Sequence, residues 1–371
     1  MEHNSEHNML TLDFWQDTVT YEGRTFPTGT LGCDALNIPE DMIARLNELC
    51  APLNRLLETM NSVTPDPNLL PPARESAIAI LDLLCEVPPF SYLDKAFYSE
   101  GIKNAFSSEG LTAFQQYNFA LMMGGMGSHL LEEYRLGILL ARLLQLLAQL
   151  GFSLGEYKKE LLSFAETLDV AHADRTPDGL AALFGKHFPP EVILDDQNSW
   201  MSLANISVQY VSTCRPGHDV PMLVKRMHFV SFVGMLRTDL FEGLCVGHAP
   251  KKCPICGRWF LTTNARHTKY CGNLAPGNSL GRTCRQIGNL RGREQRELAD
   301  DHPLKQIYER RMNTINRSVK RGTIQPDVAV AMKKLAKDKL LRAISDSSYA
   351  RGSYAKEMEQ DALLAEAKSQ R

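Results

Sequence analysis

Four cysteines lie close together in the chain, at Cys253, Cys256, Cys271 and Cys284. The first two are separated by two residues, which lets a tight turn aim both sulfurs at one cation, and Gly257 permits the positive φ that such a turn needs. Two thiolates arriving later in the chain complete a tetrahedron of ligands around Zn²⁺. The pattern therefore predicts a metal site that binds Zn²⁺ through these four cysteines.

The second half of this spacing leaves other ligand sets open. Cys271 and Cys284 stand far apart in sequence, whereas many zinc ribbons end in a second pair of cysteines two residues apart. His267 is able to replace either of them, and His248 lies shortly before Cys253. A closed four-thiolate site has no open position for a substrate, so the expected role of the metal is to hold the fold.

The hydrophobic pattern predicts a mainly α fold. Alternation over residues 10–26 indicates a short N-terminal β-hairpin with its turn at Glu22 and Gly23, and a short strand is expected at 206–211. Trp259 and Phe260 suit the return strand of a zinc ribbon. Apolar spacings of three and four predict helices at about 39–57, 72–87, 111–150 with a break at its glycines 124–127, 155–170, 177–186, 222–245, 301–321 and 325–344.

The charge of the chain changes sign at the first cysteine of the cluster. Residues 1–250 carry 16 Lys and Arg against 31 Asp and Glu, whereas residues 251–371 carry 25 against 12. The change predicts a domain boundary near residue 246 and an anionic partner for the basic part. The expected domains are an acidic, mostly helical domain at 1–245, a basic zinc-ribbon-like module closed by a helical hairpin at 246–345, and a polar tail at 346–371.

Arginines follow the cysteines in clusters. The planar guanidinium bonds two phosphate oxygens at once, so arginine is the side chain best suited to nucleic-acid backbones. Arg310, Arg317 and Arg321 are spaced by seven and four residues and share one helical face. A merely solvated basic surface is the alternative. The residues predicted to contact nucleic acid are Arg285, Arg291, Arg293, Arg310, Arg317 and Arg321.

Composition argues against several classes of protein. Hydrophobic residues make up 44% and charged residues 23% of the chain, which indicates a globular protein rather than a disordered one. No apolar run is long enough to predict a membrane span. The polar N-terminus lacks the pattern of a signal peptide, so a cytoplasmic location is expected. No nucleophile, base or carboxylate pair stands out, so no catalytic residue is predicted.

Five segments follow one another in the C-terminal half: FEGL at 241–244, KKCPICGRWF at 251–260, KYC at 269–271, GRTCRQIG at 281–288 and KRGTI at 320–324. Residues 229–344, which contain them, resemble an uncharacterised bacterial family of unknown function, DUF6076. The resemblance supports zinc binding by the four motif cysteines and implies no particular activity.

The layout is also loosely similar to the CGNR zinc-finger proteins, in which a helical N-terminal domain precedes a DNA-binding finger. At 271–274 this chain has Leu274 where their Cys-Gly-Asn-Arg string has arginine.

These observations predict a bacterial zinc-binding protein that binds nucleic acid or regulates through its basic module, with DNA favoured over RNA as the partner. The alternative is a protein-interaction scaffold with a structural zinc. Its basic face would dock on an acidic protein surface or on its own N-terminal domain.

Overall fold

The structure is a computed structural model that describes residues 10–60, 66–123, 132–170, 176–188, 206–263, 268–278, 281–297 and 302–369, without the side chains of 170 and 292–297. Helices predominate, which confirms the predicted mainly α fold class. The chain divides into two compact units. The first comprises Met1–Cys253 and Gly257–Thr268, and the second comprises Pro254–Cys256 and Lys269–Arg371.

An antiparallel five-stranded sheet in the first unit has the order β3-β2-β1-β5-β4. The predicted N-terminal hairpin is formed by β2 and β3. Its turn residues Glu22 and Gly23 have φ of 47° and 68°, and two positive φ angles are what a two-residue type I′ turn demands. The strands are β1 (Thr11–Trp15), β2 (Thr18–Tyr21), β3 (Arg24–Pro27), β4 (Ser207–Cys214) and β5 (Pro221–His228).

Helices make up most of the rest of the first unit. The expected break at glycines 124–127 lies outside the described residues. The described helices are α1 (Thr30–Ala35), α2 (Glu40–Met60), α3 (Leu70–Leu84), α4 (Lys95–Ala105), α5 (Ser108–Met122), α6 (Arg135–Ala148), α7 (Leu150–Val170), α8 (Pro177–His187) and α9 (Phe232–Cys245), with short 3₁₀ turns at Pro67–Leu69 and Phe90–Tyr92.

The helix predicted at 222–245 is wrong in its first part. Residues 221–228 form β5, which pairs with β1 on one side and with β4 on the other, so sheet hydrogen bonds take up its backbone groups. The helix begins only after Ser231, whose Oγ accepts a 3.0 Å hydrogen bond from the N–H of Gly234. A serine N-cap of this kind starts a helix by satisfying one of its unpaired donors.

One hydrophobic core holds the first unit together. Side chains such as Leu46, Leu53, Leu140 and Leu161 are fully buried in it. Each buried leucine contributes on the order of 1.5–3 kcal/mol to stability. A two-stranded sheet of β6 (Ala249–Lys252) and β7 (Trp259–Thr262) belongs to the same unit, and its buried residues join this core.

Among the described residues, no single helix is long and apolar enough to cross a membrane, although α6 and α7, bent by 46°, meet the criteria of length and composition as a pair.

The second unit contains only helices among its described elements and has its own core. Gly322, with a φ of 71°, follows the end of α11. Its N–H bonds to the carbonyl of Val319, and the N–H of Thr323 bonds to that of Ser318, which is the Schellman pattern. The helices are α10 (Cys284–Glu297), α11 (Pro303–Lys320), α12 (Pro326–Ser345), α13 (Ser347–Gly352), α14 (Tyr354–Glu357) and α15 (Gln360–Ser369).

The segment expected as a polar tail differs from that expectation, because residues 347–369 form three short helices. Tyr354, Met358 and Leu363 are completely buried in the second core. Lys339 on α12 forms ion pairs of 2.7 Å with Glu357 and 2.9 Å with Glu366. Apolar residues spaced along a charged sequence therefore fix this segment against α12.

Candidate metal centre

The first two cysteines lie on the tight turn that joins β6 to β7. The N–H of Cys253 donates to the carbonyl of Arg258 over 2.9 Å, and the N–H of Gly257 donates to the carbonyl of Cys253 over 2.9 Å. Gly257 has a φ of 72°, as the sequence predicted. The backbone of this turn therefore places Cys253 and Cys256 at one end of the small sheet.

A second loop carries the chain from Cys271 to Cys284. A β-bridge joins Leu274 to Thr283, and the N–H of Cys284 donates to the carbonyl of Asn273 over 2.9 Å. These bonds close the loop, so two cysteines that are distant in sequence come to the same place.

A capping box starts α10 at the fourth cysteine. The Oγ1 of Thr283 accepts a 3.2 Å bond from the N–H of Gln286, and the Oε1 of Gln286 accepts a 2.8 Å bond from the N–H of Thr283. Cys284 is the first residue of the helix. Its sulfur thus lies at the positive end of the helix dipole, where a thiolate is favoured.

Tyr270 packs against Gly288 on α10. A Cβ added to Gly288 would lie 2.3 Å from the tyrosine ring, closer than any real contact. Glycine is therefore required at 288 for the ring to approach the helix, and this contact helps to place the neighbouring Cys271 beside the start of α10.

All four predicted sulfurs come together. Cys253, Cys256, Cys271 and Cys284 offer Sγ atoms that lie within 4.8 Å of one another, and those of Cys256 and Cys271 are 3.6 Å apart. A tetrahedral site with Zn–S bonds of about 2.3 Å has sulfur–sulfur edges of about 3.8 Å. Cys256 is half-buried and the other three are buried. The arrangement fits a closed four-thiolate metal site.

The histidine alternatives fare differently. His248 is buried, and its Nδ1 donates to the carbonyl of Thr28 over 2.7 Å, so this nitrogen is engaged in the first core. It is not part of the cluster found among the described residues. His267 lies outside the described residues.

The arginines predicted to contact nucleic acid lie on two helices of the second unit. Arg285 and Arg291 are on α10, the first exposed and the second half-buried. Arg310 and Arg317 are exposed on α11, and Arg321 is exposed directly after it. The side chain of Arg293 lies outside the described residues. Within the described part of the chain, none of the other five forms an ion pair.

Asn37 is a supporting residue that sequence reasoning missed. Its side chain accepts a 2.7 Å bond from the N–H of Trp259 and donates a 2.9 Å bond to the carbonyl of the same residue. It thereby holds β7, the strand that follows the turn with Cys253 and Cys256, to the loop after α1. The two residues are 222 positions apart, and no local pattern connects them.

The capping box and the helix that it starts were also missed, although the sequence carries their signal in Thr283-Cys284-Arg285-Gln286, with threonine and glutamine three residues apart.

A buried carboxylate fixes the start of α1 by accepting hydrogen bonds from backbone N–H groups. Asp239 on α9 is completely buried and accepts bonds of 2.9 and 3.0 Å from the N–H groups of Gly29 and Gly32. Burial raises its pKa to about 7, although these hydrogen bonds act in the opposite direction. Burial also raises the pKa of Asp34 to about 6, against the attraction of Arg258.

Comparison with known proteins adds one match. No curated protein and no solved structure matches this chain. One family model does match, over a region longer than the resemblance noted in the sequence. This region includes β4, β5 and the helices after residue 345. The C-terminal part of the chain, residues 201–370, matches the model of the Family of unknown function (DUF6076).

Proposed function

We propose that the four cysteines bind one Zn²⁺ and that the metal is structural. A tetrahedral set of four thiolates is typical of zinc or of iron–sulfur centres, and a closed zinc site of this kind supplies folding energy rather than chemistry. The spacing of the sulfurs supports the proposal. Such a site requires reduced cysteines, and we place the protein in the cytoplasm, which maintains them.

Metal analysis of the purified protein tests this step. We expect one zinc per chain and little iron, with no visible absorbance from a cluster. A chain that binds iron and sulfide in place of zinc would contradict the assignment of the metal while keeping the four ligands.

We further propose that the basic second unit binds nucleic acid, with DNA preferred to RNA. The supporting observation is that the exposed arginines Arg285, Arg310, Arg317 and Arg321 have no carboxylate partner among the described residues. A guanidinium that forms no ion pair within its own protein can bind phosphate oxygens. The excess of basic residues beyond 250 adds a long-range attraction for a polyanion.

Salt dependence of binding tests this function. We expect zinc-loaded full-length protein to bind labelled duplex DNA of random sequence, with an affinity that falls by orders of magnitude between about 50 and 200 mM salt. Changing Arg310, Arg317 and Arg321 together to alanine should reduce the salt slope by up to about three. Exposed Arg45 and Arg55 of α2, changed to alanine, provide a matched control in the first unit.

The acidic character of residues 1–250 favours a second candidate, a scaffold whose basic face docks on an acidic protein surface. The same titration separates the two functions. If duplex DNA and single-stranded RNA both fail to bind at low salt, the nucleic-acid function is excluded and the scaffold becomes the working proposal.

A further inference from the structure

One stripe of α11 combines amide and basic side chains. Gln306, Arg310, Asn313, Arg317 and Lys320 follow one another at spacings of four, three, four and three residues, and all are exposed. Such spacing lines side chains up along one face of a helix. The stripe runs over about 21 Å of helix at 1.5 Å per residue.

The opposite face of α11 is fixed in the second core. Ile315, which lies about 180° around the helix from the stripe, is completely buried, and Tyr308 and Val319 pack against the same core. The helix is therefore held along its inner side, and the stripe projects away from the core on a rigid support.

The chemistry of the stripe is that of base recognition. Arginine and lysine donate to O6 and N7 of guanine, and asparagine and glutamine pair with N6 and N7 of adenine. The stripe alternates amides with cations, and Glu309, the one carboxylate of α11, is exposed at its edge. Phosphate binding alone would not need the amides, since a cation suffices there.

The facing helix shows that this composition is not general in the unit. The exposed residues of α12 include Val330, Lys334 and Asp338, a mixture of apolar, basic and acidic side chains. The sequence of α12 contains no asparagine or glutamine, whereas the α11 stripe presents two amides among its cations.

From these observations we infer that α11 is a recognition helix that lies in the major groove of duplex DNA and reads base edges with Gln306, Arg310, Asn313 and Arg317. This inference rests on the proposed nucleic-acid function and adds sequence specificity to it. The major groove of B-DNA admits an α-helix, whereas that of A-form RNA is too narrow, so the proposed target is DNA.

Selection from a randomised duplex pool tests the inference. Zinc-loaded full-length protein is mixed with the pool, bound DNA is recovered and sequenced, and dissociation constants are measured for the enriched and a random duplex. We expect a short motif to be enriched, with at least about tenfold preference over random DNA. Asn313→Ala and Gln306→Ala should each lose about tenfold of that preference or more at one base position.

Asn104→Ala, which removes an exposed helical asparagine from α4, is the matched control and should enrich the wild-type motif. Circular dichroism and zinc content confirm that the α11 variants are folded. If the wild type binds DNA in a salt-dependent way but enriches no motif, or if the α11 variants keep it, the recognition helix is excluded and the phosphate-binding function stands. Absence of DNA binding excludes both, and equal enrichment of duplex RNA contradicts the major-groove geometry.

Discussion

Cys284 is both a predicted metal ligand and the first residue of α10. Its backbone N–H bonds to Asn273, and the capping box around it fixes the direction in which the helix leaves. Loss of its sulfur therefore removes one ligand at the point where a loop and a helix meet.

We expect Cys284→Ser to abolish stoichiometric zinc binding and to destabilise the second unit severely. Binding of a structural zinc is coupled to folding and is worth on the order of 10 kcal/mol. Elemental analysis and thermal unfolding measure the two effects. Cys245→Ser, which changes an exposed cysteine outside the cluster, should leave both unchanged. Full zinc occupancy in Cys284→Ser would show that another residue completes the site.

We expect Gly288→Ala to weaken the metal site although alanine is the better helix former. The new methyl group would meet the Tyr270 ring at 2.3 Å, so the ring and the neighbouring Cys271 must move. Overpacking of this kind typically costs about 1–3 kcal/mol, more than the roughly 1 kcal/mol gained in helix propensity. The rate of zinc loss to a chelator measures the effect.

Gly272→Ala is the control for that change, because a Cβ there meets nothing within 4 Å. Equal rates of zinc loss from the two variants would contradict the role given to the Tyr270 contact.

Residue types and spacing alone were enough to find the four sulfurs. They were not enough to find Asn37 or the Tyr270–Gly288 contact, since the value of each depends on a partner brought close by the fold. Thiolate ligands leave a local signature in sequence, whereas an ordinary asparagine or glycine acquires its role only in three dimensions.

At the scale of elements, the three helices after residue 345 illustrate how charge can conceal a packed segment. Their sequence is rich in charged residues, yet one residue per turn or so is buried, and Lys339 pairs with two of the exposed glutamates. A tail made of short helices has too few apolar residues to show a clear period.

We expect Leu363→Ala to destabilise the second unit by about 2–5 kcal/mol, because it leaves a cavity at a completely buried position. Lys368→Ala on the exposed side of α15 should change the free energy of unfolding by no more than about 0.5 kcal/mol. Chemical denaturation measures both. A Leu363→Ala variant as stable as the wild type would mean that α15 does not contribute to the core.

Buried carboxyl groups on α1 and α9 make stability depend on pH. Asp34 has a pKa of about 6 in the folded chain, above its ordinary value near 4, so the folded state binds its proton more tightly. The stabilising contribution is complete below about pH 4 and is lost as the pH rises through about 6. Burial of Asp239 raises its pKa to about 7, so its stabilising contribution is likewise lost as the pH rises, through about 7.

We expect Asp34→Asn to flatten the dependence of unfolding free energy on pH between about 4 and 6, and to stabilise the first unit at pH 7.5. Denaturant unfolding followed by tryptophan fluorescence at several pH values measures the slope. Asp17→Asn, at an exposed turn, should keep the wild-type slope. A steeper slope in Asp34→Asn would contradict the predicted loss of stability on ionisation of Asp34.

At the scale of the whole molecule, the described part of the chain has two separate hydrophobic cores, and Trp15 and Trp259 both belong to the first unit. The emission of these two tryptophans therefore reports on the first unit, while circular dichroism reports helices in both.

We expect a chelator to lower the midpoint of thermal unfolding seen by circular dichroism much more than the midpoint seen by tryptophan emission. Three of the four proposed ligands, Cys256, Cys271 and Cys284, belong to the second unit and only Cys253 to the first, so loss of a bound metal should destabilise the second unit more. Coincident shifts of both signals would show that the two units unfold as one.

The sequence predicted the mainly α class and two parts of opposite charge, but it placed the boundary near residue 246. The small sheet of β6 and β7 belongs instead with the first unit, because Ala249 and Trp259 are buried in its core. A change in charge marks which surfaces face an anion, and it need not coincide with the edge of a core.

The central position of β1 in the five-stranded sheet has a consequence for synthesis of the chain. β1 lies between β2, which follows within a few residues, and β5, which is made more than 200 residues later. At about 5–20 residues per second, the ribosome needs roughly 10–40 s to supply that second partner. During this time the edge of β1 that later pairs with β5 is exposed and can pair with other chains. We therefore expect chaperones to bind this segment while the chain is being synthesised.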